Sequence, residues 1–425
     1  MNPVATQTGG LQTRHILVMA AAAAILMITM GMRQTLGLYI TPIIDSTGVG
    51  YAAMSFALAV GQLVWGIAQP VFGGFADRYG PGRVLVAGGL LLAFGAALTP
   101  FATNELALIM TIGILTAAGA GAGSFAVLIG VVAQRVPAAK RSFASGFVNA
   151  GGSMGQFVFA PLTQVLIASV GWMGAMWTMA IAAIGTLPLI RPLLKGTRPV
   201  SAAPGTAAAA TGTTPAAQTL APPMTLREQL RIAAKDKSYW CLHAGFFTCG
   251  FHISFLVTHL PGEVGLCSLP ASVAASSLAI IGLSNVVGSL TAGWLGGVMR
   301  MKYLLFIMYF SRAVAVLVYL AAPKTPQTFY LFAVVLGFTW LATVPPTAGL
   351  VGKLFGVRYL ATLFGLATLT HQIGGFLGAS LGGIAMTRFG DFSWMWYADA
   401  ALALAAAFIN LPIREAPVRA AAVPA

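Results

Sequence analysis

Arg33, Arg312 and Asp399 are charged side chains set inside long apolar stretches. A charge at that depth costs about 2.5–3.5 kcal/mol on membrane-insertion scales, so it needs a partner, water or a ligand. A guanidinium matches a carboxylate through two parallel N–H···O bonds. Arg33 therefore reads as a fixed cation for a small anion. The alternative is an arginine that bonds backbone carbonyls or reaches toward the interface. Arg312 and Asp399 fall at similar depths in separate stretches and are expected to form a buried ion pair, with anion binding by Arg312 as the alternative. His252 and His371 lie near mid-depth, where an imidazole titrates near neutral pH. With Asp399 they are the candidates for carrying a proton, against a role in bonding packed helices. Gln34 and Gln372 adjoin ionisable residues, and Trp340 lies in another apolar stretch. The candidate contacts for the anion are thus Arg33, Gln34, His252, His371, Gln372 and Trp340. His259, nearer the end of its stretch, reads as a packing residue.

Nothing in the chain suggests catalysis. No G-x-x-x-x-G-K-[ST] loop is present, and the glycines of Gly119–Gly123 lie within an apolar stretch where no nucleotide loop fits. Cys241, Cys249 and Cys267 make no C-x-x-C pair and read as small apolar residues. No enzyme activity, cofactor or metal is expected. The formal charge of +14 does not indicate a nucleic-acid partner, because the basic residues form short clusters between apolar runs.

The elements that position these residues follow from composition. Of all residues 58% are hydrophobic and 8% charged, against about 25% charged in soluble domains. A bilayer is the solvent such a chain requires. Stretches of about twenty apolar residues span hydrocarbon, and they recur near 16–44, 51–73, 83–101, 106–134, 141–169 and 172–190, then near 238–262, 271–296, 303–322, 326–352, 358–386 and 391–412. The runs are continuous rather than alternating, which excludes a membrane β-barrel. All 23 Lys and Arg residues except Arg33, Arg312, Lys324 and Arg388 fall in alternate gaps or the termini. By the positive-inside rule those gaps and both termini are cytoplasmic. The reading is an all-α membrane protein of twelve transmembrane helices. A tail (1–15) precedes a first six-helix half (16–195), and a linker (196–237) leads to a second half (238–412) and a final tail (413–425). The linker is Ala/Pro/Thr-rich up to residue 224. Its last part, Thr225–Lys237, carries Leu226, Leu230 and Ile232 among basic residues, a pattern for an amphipathic helix on an anionic leaflet.

The halves repeat each other. Gly152-Ser-Met-Gly155-Gln-Phe157 in the fifth stretch matches His371-Gln-Ile-Gly374-Gly-Phe376 in the eleventh, and Gly73-Gly-Phe-Ala-Asp77-Arg78 has a counterpart in Gly293-Trp-Leu-Gly-Gly297. The run Gly73-Gly-Phe-Ala-Asp77-Arg78-Tyr-Gly80-Pro-Gly-Arg83 resembles the signature loop of the major facilitator superfamily, G-x-L-A-D-R-x-G-R-K/R. Gly297 departs from it, since the second copy ordinarily carries an acid there. The stretches around Gly31-Met-Arg33-Gln34, Gly250-Phe-His252, Thr258-His259-Leu-Pro261, Phe355-Gly-Val-Arg358 and Thr370-His371-Gln372 are similar to the bacterial branch related to monocarboxylate porters. That branch usually sets an arginine and an acid in span eight, where this chain has Asn285 and Ser289.

The resemblance implies two six-helix pseudo-repeats in the inner membrane of a bacterium. It also implies alternating access around a central cavity, with Asp77, Arg78 and Arg83 as a conformational latch. The expected function is proton-coupled transport of a small organic anion. Alternatives are a proton-coupled exporter of drugs or metabolites, and a receptor that uses the fold without transport.

Overall fold

The computed structural model describes residues 12–136, 141–194, 225–356 and 359–417, and all regular structure among them is helical. The expected linker 196–224, most of the two tails, Lys140 and Arg358 lie outside the described residues, as does the side chain of Asp77.

The first expected span is α1 (Thr13–Gln34), a 3-10 turn (Leu36–Tyr39) and α2 (Ile40–Thr47). The break is local chemistry. Thr35 turns its hydroxyl back onto the Gly31 and Met32 carbonyls at 3.0 and 3.1 Å, and Pro42 cannot donate to the turn before it. Next come α3 (Tyr51–Tyr79) and α4 (Pro81–Leu98). The fourth span is α5 (Glu105–Leu108), a π-helical stretch (Ile109–Thr116), α6 (Ala117–Ala122) and α7 (Phe125–Arg135). The fifth and sixth form α8 (Arg141–Ile184), kinked where Gly171 takes φ +74°, and continue into α9 (Thr186–Leu194). The kink falls between the two expected spans.

The amphipathic segment is α10 (Leu226–Lys235), with Gln229 and Ala233 buried and Arg227, Arg231 and Lys235 exposed. The second half follows as α11 (Lys237–Leu266), α12 (Ala271–Val298), α13 (Met301–Ala321), α14 (Pro326–Thr339) with α15 (Val344–Phe355), α16 (Leu360–Phe389) and α17 (Ser393–Asn410). Pro345 and Pro346 withdraw two donors from the turn before them, and there α14 and α15 separate. Among the described residues nine helical stretches are long and apolar enough to cross a membrane, the longest, Gly146–Leu194, holding two expected spans. The expected eleventh and twelfth segments fall on α16 and α17.

Each half has its own apolar core, one built around Leu26, Leu92 and Leu128, the other around Phe255, Leu336 and Trp396. The sequence repeat is a packing repeat. In the first half α8 lies against α1 so closely that a Cβ on Gly155 collides with the Met27 carbonyl. In the second, α16 lies against α11 and a Cβ on Gly374 collides with the Phe247 carbonyl. Small residues permit such approaches where apolar burial gives helices in lipid little reason to associate.

The helix order and the short turns between successive spans imply alternating directions, which puts the helix ends bearing Arg14, Arg78, Arg83, Arg300 and Lys353 on one face, here termed the basic face. At that face a carboxylate arrives from the C-terminal segment. Glu415 accepts from the Lys302 N–H at 2.9 Å and from Lys353 Nζ at 3.2 Å.

Candidate functional site

Arg33 occupies the last turn of α1, where the unpaired carbonyls of a helix end favour a cation. Its Nη2 donates to Gln62 Oε1 of α3, and its Cζ lies 4.2 Å from the centre of the Trp65 ring. Among the described residues no carboxylate pairs with it. The half-buried guanidinium borders a small pocket that is partly open to solvent. Gln62, Thr116 and Thr258 give the remaining polar lining, and Leu58, Ile112 and Val257 are typical of the rest. Gly37 also borders the pocket and lets the halves meet, since a Cβ there collides with the Val257 carbonyl of α11. Thr116 ends the π-helical stretch, its hydroxyl donating to the Thr111 carbonyl at 2.7 Å. Such stretches often mark functional sites.

The other expected contacts lie outside this lining. Gln34 is turned about 100° from Arg33 around the helix and is buried. Trp340 is fully buried at the α14–α15 break, edge-on to His252 with ring centres 5.9 Å apart. His371 Nδ1 lies 3.0 Å from Gln372 Nε2, and its ring packs on Phe246. Gln372 seats against Gly66 of α3, where a Cβ comes within 2.5 Å of Cγ.

The expected Arg312–Asp399 pair is not formed. Asp399 Oδ2 lies 2.5 Å from His252 Nδ1, with both residues fully buried. Arg312 instead donates to the Thr339 carbonyl, to the Trp340 carbonyl at 2.5 Å, to Thr339 Oγ1 at 3.3 Å and to Cys249 Sγ at 3.4 Å. The physical reason is the helix break. It orphans carbonyls at the negative end of the α14 dipole, and these serve a buried guanidinium as a distributed counter-charge. His252 Nε2 and Asp399 Oδ1 have no partner among the described residues.

Of the latch residues, Arg78 stacks on Tyr79 at 5.2 Å and Arg83 is exposed. Sequence reasoning missed Gln62, which orients Arg33. Its signal was weak, an uncharged polar residue within an apolar stretch.

A helical chain with repeated glycine seams and a pocket between its halves meets a decisive comparison. Residues 19–379 match the family model described as Major Facilitator Superfamily. The chain belongs to the Major Facilitator Superfamily. As a superfamily member it is similar to monocarboxylate transporter 13 of Bos taurus, 26% identical over 90% of this chain and 85% of that protein. It is similar to the oxalate:formate antiporter of Oxalobacter formigenes, 24% identical over 92% and 89%. Among solved superfamily folds, a D-xylose-proton symporter superposes with a TM-score of 0.73 at 14% identity over 94% and 98% of the chains. A bacterial homologue of the human lysosomal transporter Spinster, inward-facing and unoccupied, gives 0.65 at 15% identity over 95% of each chain. These family relations support a multi-pass membrane transporter of small molecules.

Proposed function

We propose that this chain is a secondary carrier for a small monocarboxylate, moved together with a proton by alternating access. The observation that carries the reading is Arg33, a cation at the edge of a pocket between the halves with no carboxylate to neutralise it among the described residues. An anion offsets its lost hydration through charge-assisted hydrogen bonds, while Gln62 and Trp65 hold the guanidinium in place. One cation among apolar walls and two hydroxyls fits one carboxylate on a short carbon skeleton. A second carboxylate meets no second cation in the lining. An exporter of cationic drugs finds no acid there either. The monocarboxylate transporters and the oxalate:formate antiporter among the relatives support an organic anion as cargo.

In this reading the basic face is cytoplasmic, in the inner membrane of a bacterium, and Asp77, Arg78 and Arg83 latch the first half in one conformation. The coupling proton resides on His252–Asp399, a buried pair with an open nitrogen and an open oxygen, with His371 the alternative carrier. The test is uptake into vesicles reconstituted with the pure protein, using labelled monocarboxylates and dicarboxylates with and without an inward proton gradient. Gradient-driven accumulation of monocarboxylates is expected. Uptake that ignores charge or prefers dicarboxylates removes the reading.

A further inference from the structure

The mouth opposite the basic face is closed, and a histidine sits in the closure. Tyr51 begins α3 in the first half, and its hydroxyl lies 3.1 Å from His259 Nδ1 on α11 of the second. The two rings stack with centres 5.7 Å apart, and Phe392 lies beside both, at 6.2 Å from Tyr51 and 5.2 Å from His259. The Tyr51 hydroxyl fits because residue 262 is glycine, where a Cβ comes within 2.7 Å of it. His259 is 1% exposed.

The tautomer follows from its partners. His259 Nε2 lies 2.7 Å from the Ala379 carbonyl, which only accepts, so Nε2 carries the hydrogen. In the neutral ring Nδ1 is then a lone pair, and the Tyr51 hydroxyl donates to it across the gap between the halves. A proton added to Nδ1 removes that acceptor. Tyr51 has to turn its own hydrogen away from the new N–H, and a cation is left in a site closed to water. Both changes disfavour closure.

Among the described residues no carboxylate bonds the ring. The titratable groups around the ring are Tyr51 on α3 and, one turn along α11, Glu263, whose Oε1 is taken by the Tyr319 hydroxyl of α13 at 2.7 Å. From α16 the ring meets the Ala379 carbonyl and Gly382, and at the start of α17 it meets the Phe392 ring.

We propose that His259 is a proton-binding gate residue, whose neutral ring locks the mouth opposite the basic face to Tyr51 and whose protonation releases it. Acid on that side then shifts the carrier toward the state open to that side, because a ligand favours the form that binds it better. A free imidazole takes up its proton at pH about 6.5, so a state that wets the ring gains its advantage as the pH falls below that value. The proposal is independent of what the carrier moves.

The test is the distance between spin labels across the mouth, measured without substrate in lipid nanodiscs. Labels are placed by Ser46→Cys on α2 and Gly265→Cys on α11, both exposed, with Cys241, Cys249 and Cys267 changed to Ser. A short distance is expected to dominate at pH 8, and a longer population to become at least comparable at pH 5. His259→Gln, whose amide donates and accepts without titrating, is expected to stay short at both pH values. Tyr51→Phe, which removes the bond but not the imidazole, is expected to show the long population already at pH 8. An unchanged wild-type distance between the two pH values, a wild-type shift retained in His259→Gln, or a Tyr51→Phe profile equal to wild type overturns the proposal.

Discussion

Arg33 Cζ lies 4.2 Å from the centre of the Trp65 ring, and the same guanidinium donates to Gln62. A ring face and an amide fix the cation before any ligand arrives, which lowers the entropy lost on binding. Arg33→Ala is expected to fold and to bind the carried anion at least about tenfold more weakly, since hydrogen bonds to charged groups contribute about 1.5–3 kcal/mol. Arg33→Lys keeps the charge without the fork and should fall between. Calorimetric titration beside a thermal melt separates the cases. Native affinity in Arg33→Ala would falsify the anion site, and loss of the fold marks the arginine as structural.

Arg312 and the α14–α15 break make a second prediction. Arg312→Met strands the Thr339 and Trp340 carbonyls and should lower stability by about 1–3 kcal/mol, with Arg312→Lys retaining part. Anion affinity in the surviving protein should be unchanged. A stable Arg312→Met protein that has lost affinity places this arginine at the ligand instead.

His252 and Asp399 should act as a unit. His252→Gln and Asp399→Asn are each expected to abolish accumulation driven by a proton gradient while sparing substrate exchange. In a double-mutant cycle on stability the pair should show a coupling of about 0.5–3 kcal/mol, as expected of residues in contact. Additive effects, or accumulation that survives both changes, move the proton elsewhere, with His371 next in line.

The glycine seams predict a contrast on the second half's helices. Gly374→Ala drives a methyl into the Phe247 carbonyl and should cost about 1–3 kcal/mol. Gly297→Ala, with nothing within 4 Å, should be neutral or stabilising by up to about 1 kcal/mol. Equal melting temperatures for the two variants contradict the seam.

Asp77→Asn tests the latch. Transport should slow far more than substrate binding weakens. Normal uptake by a normally expressed variant counts against it.

Much of this architecture was legible in the sequence because lipid makes the rules strict. Apolar run length located the helices, Gly171 fell between two expected spans, and the Gly155–Gly374 match marked where each half packs most tightly. Arg33 was found because a charge in an apolar run is costly. Side-chain partners were harder to read. Arg312 and Asp399 have compatible depths, but depth leaves rotation open, and one residue along a helix turns its side chain by about 100°. Pairing by formal charge also overlooked that a broken helix offers carbonyls as a counter-charge, which left Asp399 to His252. Gln62 was missed because an amide carries little cost and so stands out little. His259 was read as packing because its neighbours across the gap belong to another part of the chain.

The Arg33 pocket takes its walls from both halves, with Val257 and Thr258 of α11 facing Arg33 and Gln62. A cargo must therefore be small enough for those walls to part behind it. On the proposed reading, a bulkier anion with the same head group, held at Arg33 and wedged against Thr258, is expected to stall the cycle at the step where the walls separate. Inhibitors of this carrier are thus to be sought among its own substrates with heavier tails.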